Sequence, residues 1–150
     1  KTKAYVMDKL RELGYEPKEI CESGIVATIE GPKPGKTFLL RADMDALPME
    51  ETPNCDFASK NGAMHSCGHD MHTAMLLGAA IILKSKEAEL GGTLKLVFQP
   101  SEEKRPGGAR LLLPHLLEPP VPKAIFGQHV FPGLPVGQIG IRPGAFCFFR

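Results

Sequence analysis

Long apolar runs, clustered charge and a cysteine framework are all missing from this sequence, and each absence narrows what it can be. The longest apolar stretch, Ala74 to Leu83, is well short of the roughly 20 residues a membrane-spanning helix requires. Net charge is +1 over 150 residues, with Lys and Arg dispersed, so no basic face is available for nucleic acid or an anionic membrane. The cysteines, Cys21, Cys55, Cys67 and Cys147, are too widely spaced for a disulfide framework. That usage predicts a reducing, cytoplasmic setting. The chain begins at Lys1 inside a helical pattern, which leaves a removed signal peptide open. Competing chemistry is missing too. There is no Gly-x-Ser-x-Gly elbow, no phosphate-binding glycine loop, no His-Glu-x-x-His pair and no Cys-x-x-Cys pair.

What is present is a globular composition, 43% hydrophobic and 23% charged, sufficient for one core. Val6, Leu10 and Leu13 recur at helical spacing before Gly14. Gly24–Glu30 and Thr37–Asp43 read as strands, and His72 to about Leu90 reads as a helix closed by Gly91-Gly92. A strand at Thr93–Phe98, a helix at Ala109–Leu117 and a short strand at Ala124–Gly127 follow, and Val136–Arg142 alternates like a further strand. Strands alternating with helices predict an α/β layered domain with a mostly parallel sheet, whose ligands bind beyond the carboxyl ends of the strands.

The polar clusters fall where that rule places a site. Residues 65–73 read His-Ser-Cys-Gly-His-Asp-Met-His-Thr, holding three of the five histidines. Cys67 and His69 are two apart, so in an extended segment both side chains reach one side and one cation. The ordinary alternative is a buried free cysteine beside a surface histidine. The flanking His65, Asp70 and His72 weigh against it. His72 has two readings, orienting a ligand or substrate, or a plain exposed histidine. Glu102-Glu103 follow the strand-like run Leu94–Phe98. Adjacent glutamates are usually a solvated face, but leaving a strand they point different ways, one toward a metal and the other toward a water. Asp43 and Asp45 share a face at another strand end, where ordinary solvation and support of a metal ligand are evenly matched. His129 closes the set after Ala124–Gly127. Thiol, imidazole and carboxylate together predict a hydrolytic metal site.

Arg41–Pro48 (RADMDALP), Met64–Ala74 (MHSCGHDMHTA), Phe98–Glu103 (FQPSEE) and Gly127–Val130 (GQHV) occur in this order. Together they resemble the amidohydrolase branch of the aminoacylase/carboxypeptidase zinc metallopeptidase family, which includes hippurate hydrolases, N-acyl-amino-acid deacetylases and auxin-conjugate hydrolases. The resemblance implies a three-layer α/β/α catalytic domain. It implies Cys67, His69, Glu103 and His129 as metal ligands and Glu102 as the general base. Asp45 matches a supporting aspartate, Asp70 stands where other branches carry a bridging aspartate, and His72 is a further supporting residue. One or two divalent ions are implied, zinc first, with manganese, cobalt or nickel as replacements.

The implied reaction is hydrolysis of the amide of an N-acyl amino acid or small peptide by a metal-activated water. The implied partners are those small molecules, with a homo-oligomeric full-length protein. The resemblance also implies that residues 1–142 are the N-terminal part of the catalytic domain. Residues 143–150 would begin the crossing to a lid or dimerisation domain, and a further histidine ligand would lie beyond. On that reading the isolated chain is inactive. The alternative is a truncated or degenerate relative that binds metal without catalysis, against which the intact Glu102-Glu103 pair counts.

Overall fold

The computed structural model describes residues 1–52, 56–104 and 107–141, so Cys55, Cys147 and the proposed crossing at 143–150 lie outside the described residues. The chain runs α1 (Thr2–Glu12), β1 (Lys18–Ile20), β2 (Gly24–Glu30), β3 (Lys33–Asp43), α2 (His69–Ser85), β4 (Gly91–Gln99), α3 (Gly108–Leu116) and β5 (Ala124–Gly127). The sheet order is β1-β2-β4-β3-β5. β3 pairs in parallel with β4 and β5, whereas β1–β2 and β2–β4 are antiparallel. The sheet is therefore mixed rather than mostly parallel. Its parallel half is the functional half, because β4, β3 and β5 end side by side, with Asp43 opposite Gln99 and Arg41 opposite Gly127.

Strand alternation sends side chains to two separate cores. On one face Ile25, Ala27, Ile29, Ala42, Leu96 and Phe98 pack with Val6 and Leu10 of α1 and Leu76 and Ala80 of α2. On the other, Leu39, Val97 and Ile20 pack with Leu112 of α3. Helices on both faces of one sheet give the expected three layers. Tyr15 joins α1 to α2 by donating its hydroxyl to the Ala80 carbonyl at 2.7 Å. Burial, and then the nearby Glu87 charge, push its phenol up to about 12.

Several boundaries differ from the periodic pattern for local reasons. α2 begins at His69, because Gly68 takes a left-handed φ of 84° and turns the chain directly into the helix. It ends at Ser85 in a short 3₁₀ turn, and Gly91-Gly92 open β4 instead of closing the helix. β1 is three residues long, too short to register as a pattern. Val136–Ile141 forms no strand, since the chain turns at Gly137 with φ 88° and its apolar side chains stay exposed. Among the described residues no helix is long and apolar enough to cross a membrane.

The layer assignment predicts unequal consequences along α3. Leu112→Ala should lower unfolding free energy by about 2–5 kcal/mol, the range for emptying a buried leucine site. Leu111→Ala, whose side chain is 56% exposed, should change it by less than about 0.5 kcal/mol. Equal effects in chemical denaturation would refute a third layer on that face.

Candidate metal centre

The site is built from three strand ends and the first turn of α2. Asp43, the last residue of β3, is 1% exposed. Its Oδ2 pairs with Arg41 Nη1 at 2.7 Å, and its Oδ1 accepts from His72 Nδ1 at 2.5 Å. Thr73 donates its hydroxyl to the Asp43 carbonyl at 3.1 Å, so two successive residues of α2 grip the end of β3. Arg41 in turn donates Nε to Gln99 at the end of β4, 2.9 Å away. Burial is the strongest influence on the Asp43 carboxyl and would raise its pKa. The hydrogen bond from His72 and the Arg41 charge outweigh burial and hold it below the usual carboxylate value.

Hydrogen bonding fixes which histidine nitrogen is free. His69 Nδ1 faces only acceptors, the Asp45 carbonyl at 3.0 Å and Asp45 Oδ1 at 3.3 Å, so Nδ1 carries the proton. Its Nε2 is then a bare lone pair, buried and without any hydrogen-bond partner. His129 Nδ1 donates to the Val130 carbonyl at 2.6 Å, which frees Nε2 to face Cys67 Sγ at 3.4 Å. His72 differs. Its Nε2 accepts the Val130 amide proton at 2.9 Å while Nδ1 donates to Asp43, leaving no lone pair for a metal.

Around the His69 lone pair stand the remaining donors. Cys67, His69 and His129 offer ligand atoms all within 4.8 Å of one another, as do His69, Glu102 and Glu103. Glu102 Oε2 is 4.0 Å and Glu103 Oε1 is 3.9 Å from His69 Nε2. Both carboxylates therefore converge, where strand alternation predicted divergence. The cause is the turn after β4, in which Ser101 takes φ 55° and Gly108 donates its amide to the Ser101 carbonyl at 2.8 Å. Asp45 Oδ2 also accepts the Glu103 amide at 3.1 Å, so one aspartate braces both His69 and the glutamate turn. Cys67 lies in the turn before α2, not in an extended segment, and Gly68 brings it to the same side as His69. Burial, followed by the adjacent Glu103 and Glu102 carboxylates, pushes the Cys67 thiol up to about 11.

The cluster thus gathers Cys67, His69, Glu102, Glu103, His129, Asp45 and His72. Asp70 is not among them. It is exposed on the first turn of α2 and borders, with His65, Phe57 and Asn61, an open cavity of about 420 Å³. Of the two evenly matched readings of Asp43, the structure favours support of the site over solvation, and Arg41, Gln99 and the Val130 backbone join it unforeseen. An arginine two residues before an aspartate on an apolar strand was the available signal, since both then share a face. A buried imidazole lone pair, a thiol, a second imidazole and two carboxylates are a donor set suited to a borderline-soft divalent cation.

Comparison with known proteins agrees with this chemistry. The chain is 46% identical over 124 residues to an N-acetylcysteine deacetylase of Bacillus subtilis, covering 82% of this chain and 32% of that protein. It is 44% identical over 147 residues to thermostable carboxypeptidase 2 of Saccharolobus solfataricus, covering 95% of this chain and 37% of that one. It therefore spans about a third of the length of these relatives. A crystal structure described as a dinuclear metal-binding peptidase of the M20 family from Bacillus subtilis superposes with a TM-score of 0.87 at 43% identity. That match covers 94% of this chain and 40% of the other. The model of peptidase family M20/M25/M40 matches residues 39–147, from the middle of β3 through all the donor residues, and the chain belongs to that family.

Proposed function

We propose that this chain forms the metal-binding part of the catalytic domain of an amidohydrolase acting on N-acyl amino acids or small peptides. The observation that carries this reading is the buried, unpartnered Nε2 of His69, facing a thiol, a second imidazole and two carboxylates. An unpaired buried acceptor is costly unless a ligand supplies the missing contact. Cys67, His69, Glu103 and His129 are the proposed ligands, for one or two divalent ions with zinc favoured by the thiolate. Glu103 influences the Cys67 thiol more strongly than Glu102 does, which supports Glu103 as the ligand and Glu102 as the base.

A bound cation would supply Lewis acidity, polarising the scissile carbonyl and acidifying a water. Glu102 takes the proton of the attacking water on its carboxylate and delivers it to the leaving amine nitrogen. Asp45 holds His69 in the tautomer that presents Nε2 and anchors the Glu103 turn. The relatives named as a deacetylase and a carboxypeptidase support small N-acylated or peptidic substrates. A degenerate, binding-only relative would have no need of Glu102.

Metal analysis of the purified protein provides the first test. Cys67→Ser should lower bound metal sharply, and Cys21→Ser, on the turn between β1 and β2, should leave it unchanged. Equal loss from both would remove Cys67 from the ligand set. The glutamates should separate as well. In the full-length protein, Glu102→Gln should reduce turnover of N-acetyl amino acids by about two orders of magnitude or more with metal retained. Glu103→Gln should lose metal first. The reverse pattern would exchange their roles.

Metal uptake must also displace the Cys67 proton. Because that thiol ionises only near 11, apparent affinity should rise with pH through the neutral range, by about tenfold per unit for one proton released. A flat profile between pH 6.5 and 8.5 in chelator competition would contradict thiolate ligation.

A further inference from the structure

Nothing in the donor set explains why His129 stands where it does. It lies in coil beyond the end of β5 and is itself exposed, unlike His69, which the helix start and Asp45 both hold. The neighbouring residue supplies the answer. Val130 packs a methyl group against Gly68, so closely that a Cβ at residue 68 would sit 2.4 Å from Val130 Cγ2. Its amide donates to His72 Nε2 at 2.9 Å, and its carbonyl accepts from His129 Nδ1 at 2.6 Å. The His72 and His129 rings meet edge to face with centroids 4.5 Å apart.

We propose that His72 is the positioning residue for His129. Held by Asp43, it fixes the Val130 amide, and the backbone of Val130, through its carbonyl, orients the His129 imidazole toward Cys67. The inference rests on the reading of His129 as a metal ligand. Each step follows from what the atoms can do. An amide N–H only donates, so His72 Nε2 must be unprotonated, and the proton of the neutral ring is on Nδ1, pointing to Asp43. A carboxylate at Nδ1 fixes the ring plane and makes Nε2 a stronger acceptor. Arg41 occupies the other Asp43 oxygen, leaving Oδ1 to His72. With no lone pair remaining, His72 cannot be a ligand, although Asp43, His69 and His72 form a buried triad with metal-like spacing.

Two substitutions isolate the contact. Asparagine places an amide N–H near the position of Nδ1 and can still meet Asp43, but offers nothing at Nε2. Glutamine places its carbonyl oxygen near Nε2 and can accept the Val130 amide. In the purified protein, His72→Asn should speed hydrogen exchange at the Val130 amide by about tenfold or more. It should also weaken cobalt(II) binding in chelator competition by about ten- to a hundredfold. The Cys67 thiolate-to-cobalt absorption should persist in saturated samples of both variants. His72→Gln should lie closer to wild type in exchange and affinity, a rescue that a merely space-filling histidine would not show.

If the asparagine variant does not fold, nitrogen-15 NMR of the wild-type ring decides: an Nδ1–H tautomer supports the proposal, and an Nε2–H tautomer or an imidazolium at neutral pH overturns it. Unchanged exchange and cobalt affinity in a folded His72→Asn protein overturn it too, as does a glutamine variant no better than asparagine. Failure of the amidohydrolase reading looks different, since the expected exchange and cobalt results without amide hydrolysis would leave the role of His72 standing.

Discussion

Asp43 keeps its charge in the protein interior because Arg41 and His72 take one carboxylate oxygen each. Removing either partner would leave one oxygen of a buried anion unpaired, which is far more costly than an unmade surface contact. The consequences reach each part of the site. Through Arg41 and Gln99 the ends of β3 and β4 are tied, and the register Asp43↔Gln99 starts the Glu102-Glu103 turn at the level of Asp45. Through Thr73 and His72 the first turn of α2 is held against β3, which carries His69 and Cys67 to the same place.

Rigid and adjustable parts are arranged in order of burial. His69 and His72 are almost wholly enclosed, Cys67 is half-buried, and the two glutamates and His129 are partly or wholly exposed. An imidazole fixed by a carbonyl and a carboxylate loses little freedom when it meets a cation, so the binding is prepaid by folding. The glutamates are less enclosed, with side chains 30% and 26% exposed. One aspartate serves both ends of this gradient, since Asp45 touches His69 with its carbonyl and Oδ1 and the Glu103 amide with Oδ2.

Much of this was legible in residue order. The apolar periodicities of α1, α2 and β4 and the polar runs after β3, β4 and β5 located the elements and the end of the sheet that carries the donors. What could not be read is mostly a matter of single torsions and single protons. The left-handed turn at Gly68, not an extended Cys67–His69 segment, brings thiol and imidazole together. The turn at Ser101 gathers two glutamates that a strand would separate. His69 and His72 are three apart on one helix and look equivalent as sequence, but the partner of each Nε2 makes one a candidate ligand and the other not. Asp70, prominent in the motif, faces outward, because the helix turns its side chain away from the neighbouring His69.

The charge balance around the donor cluster points the same way as the hydrogen bonds. Glu103, Glu102 and Asp43 all act on the Cys67 thiol by their charge, and among the described residues no lysine or arginine pairs with either glutamate. Arg41 lies close by but is committed to Asp43 and Gln99. Burial first, and then these carboxylates, push the Cys67 thiol up, so the site resists one more negative charge. A bound divalent cation would supply the opposite charge, with Cys67, Glu103, His129 and the free Nε2 of His69 as the groups that would hold it. The features that disfavour a further anion here, burial, converging carboxylates and an inward imidazole nitrogen, are thus the ones that would favour a cation.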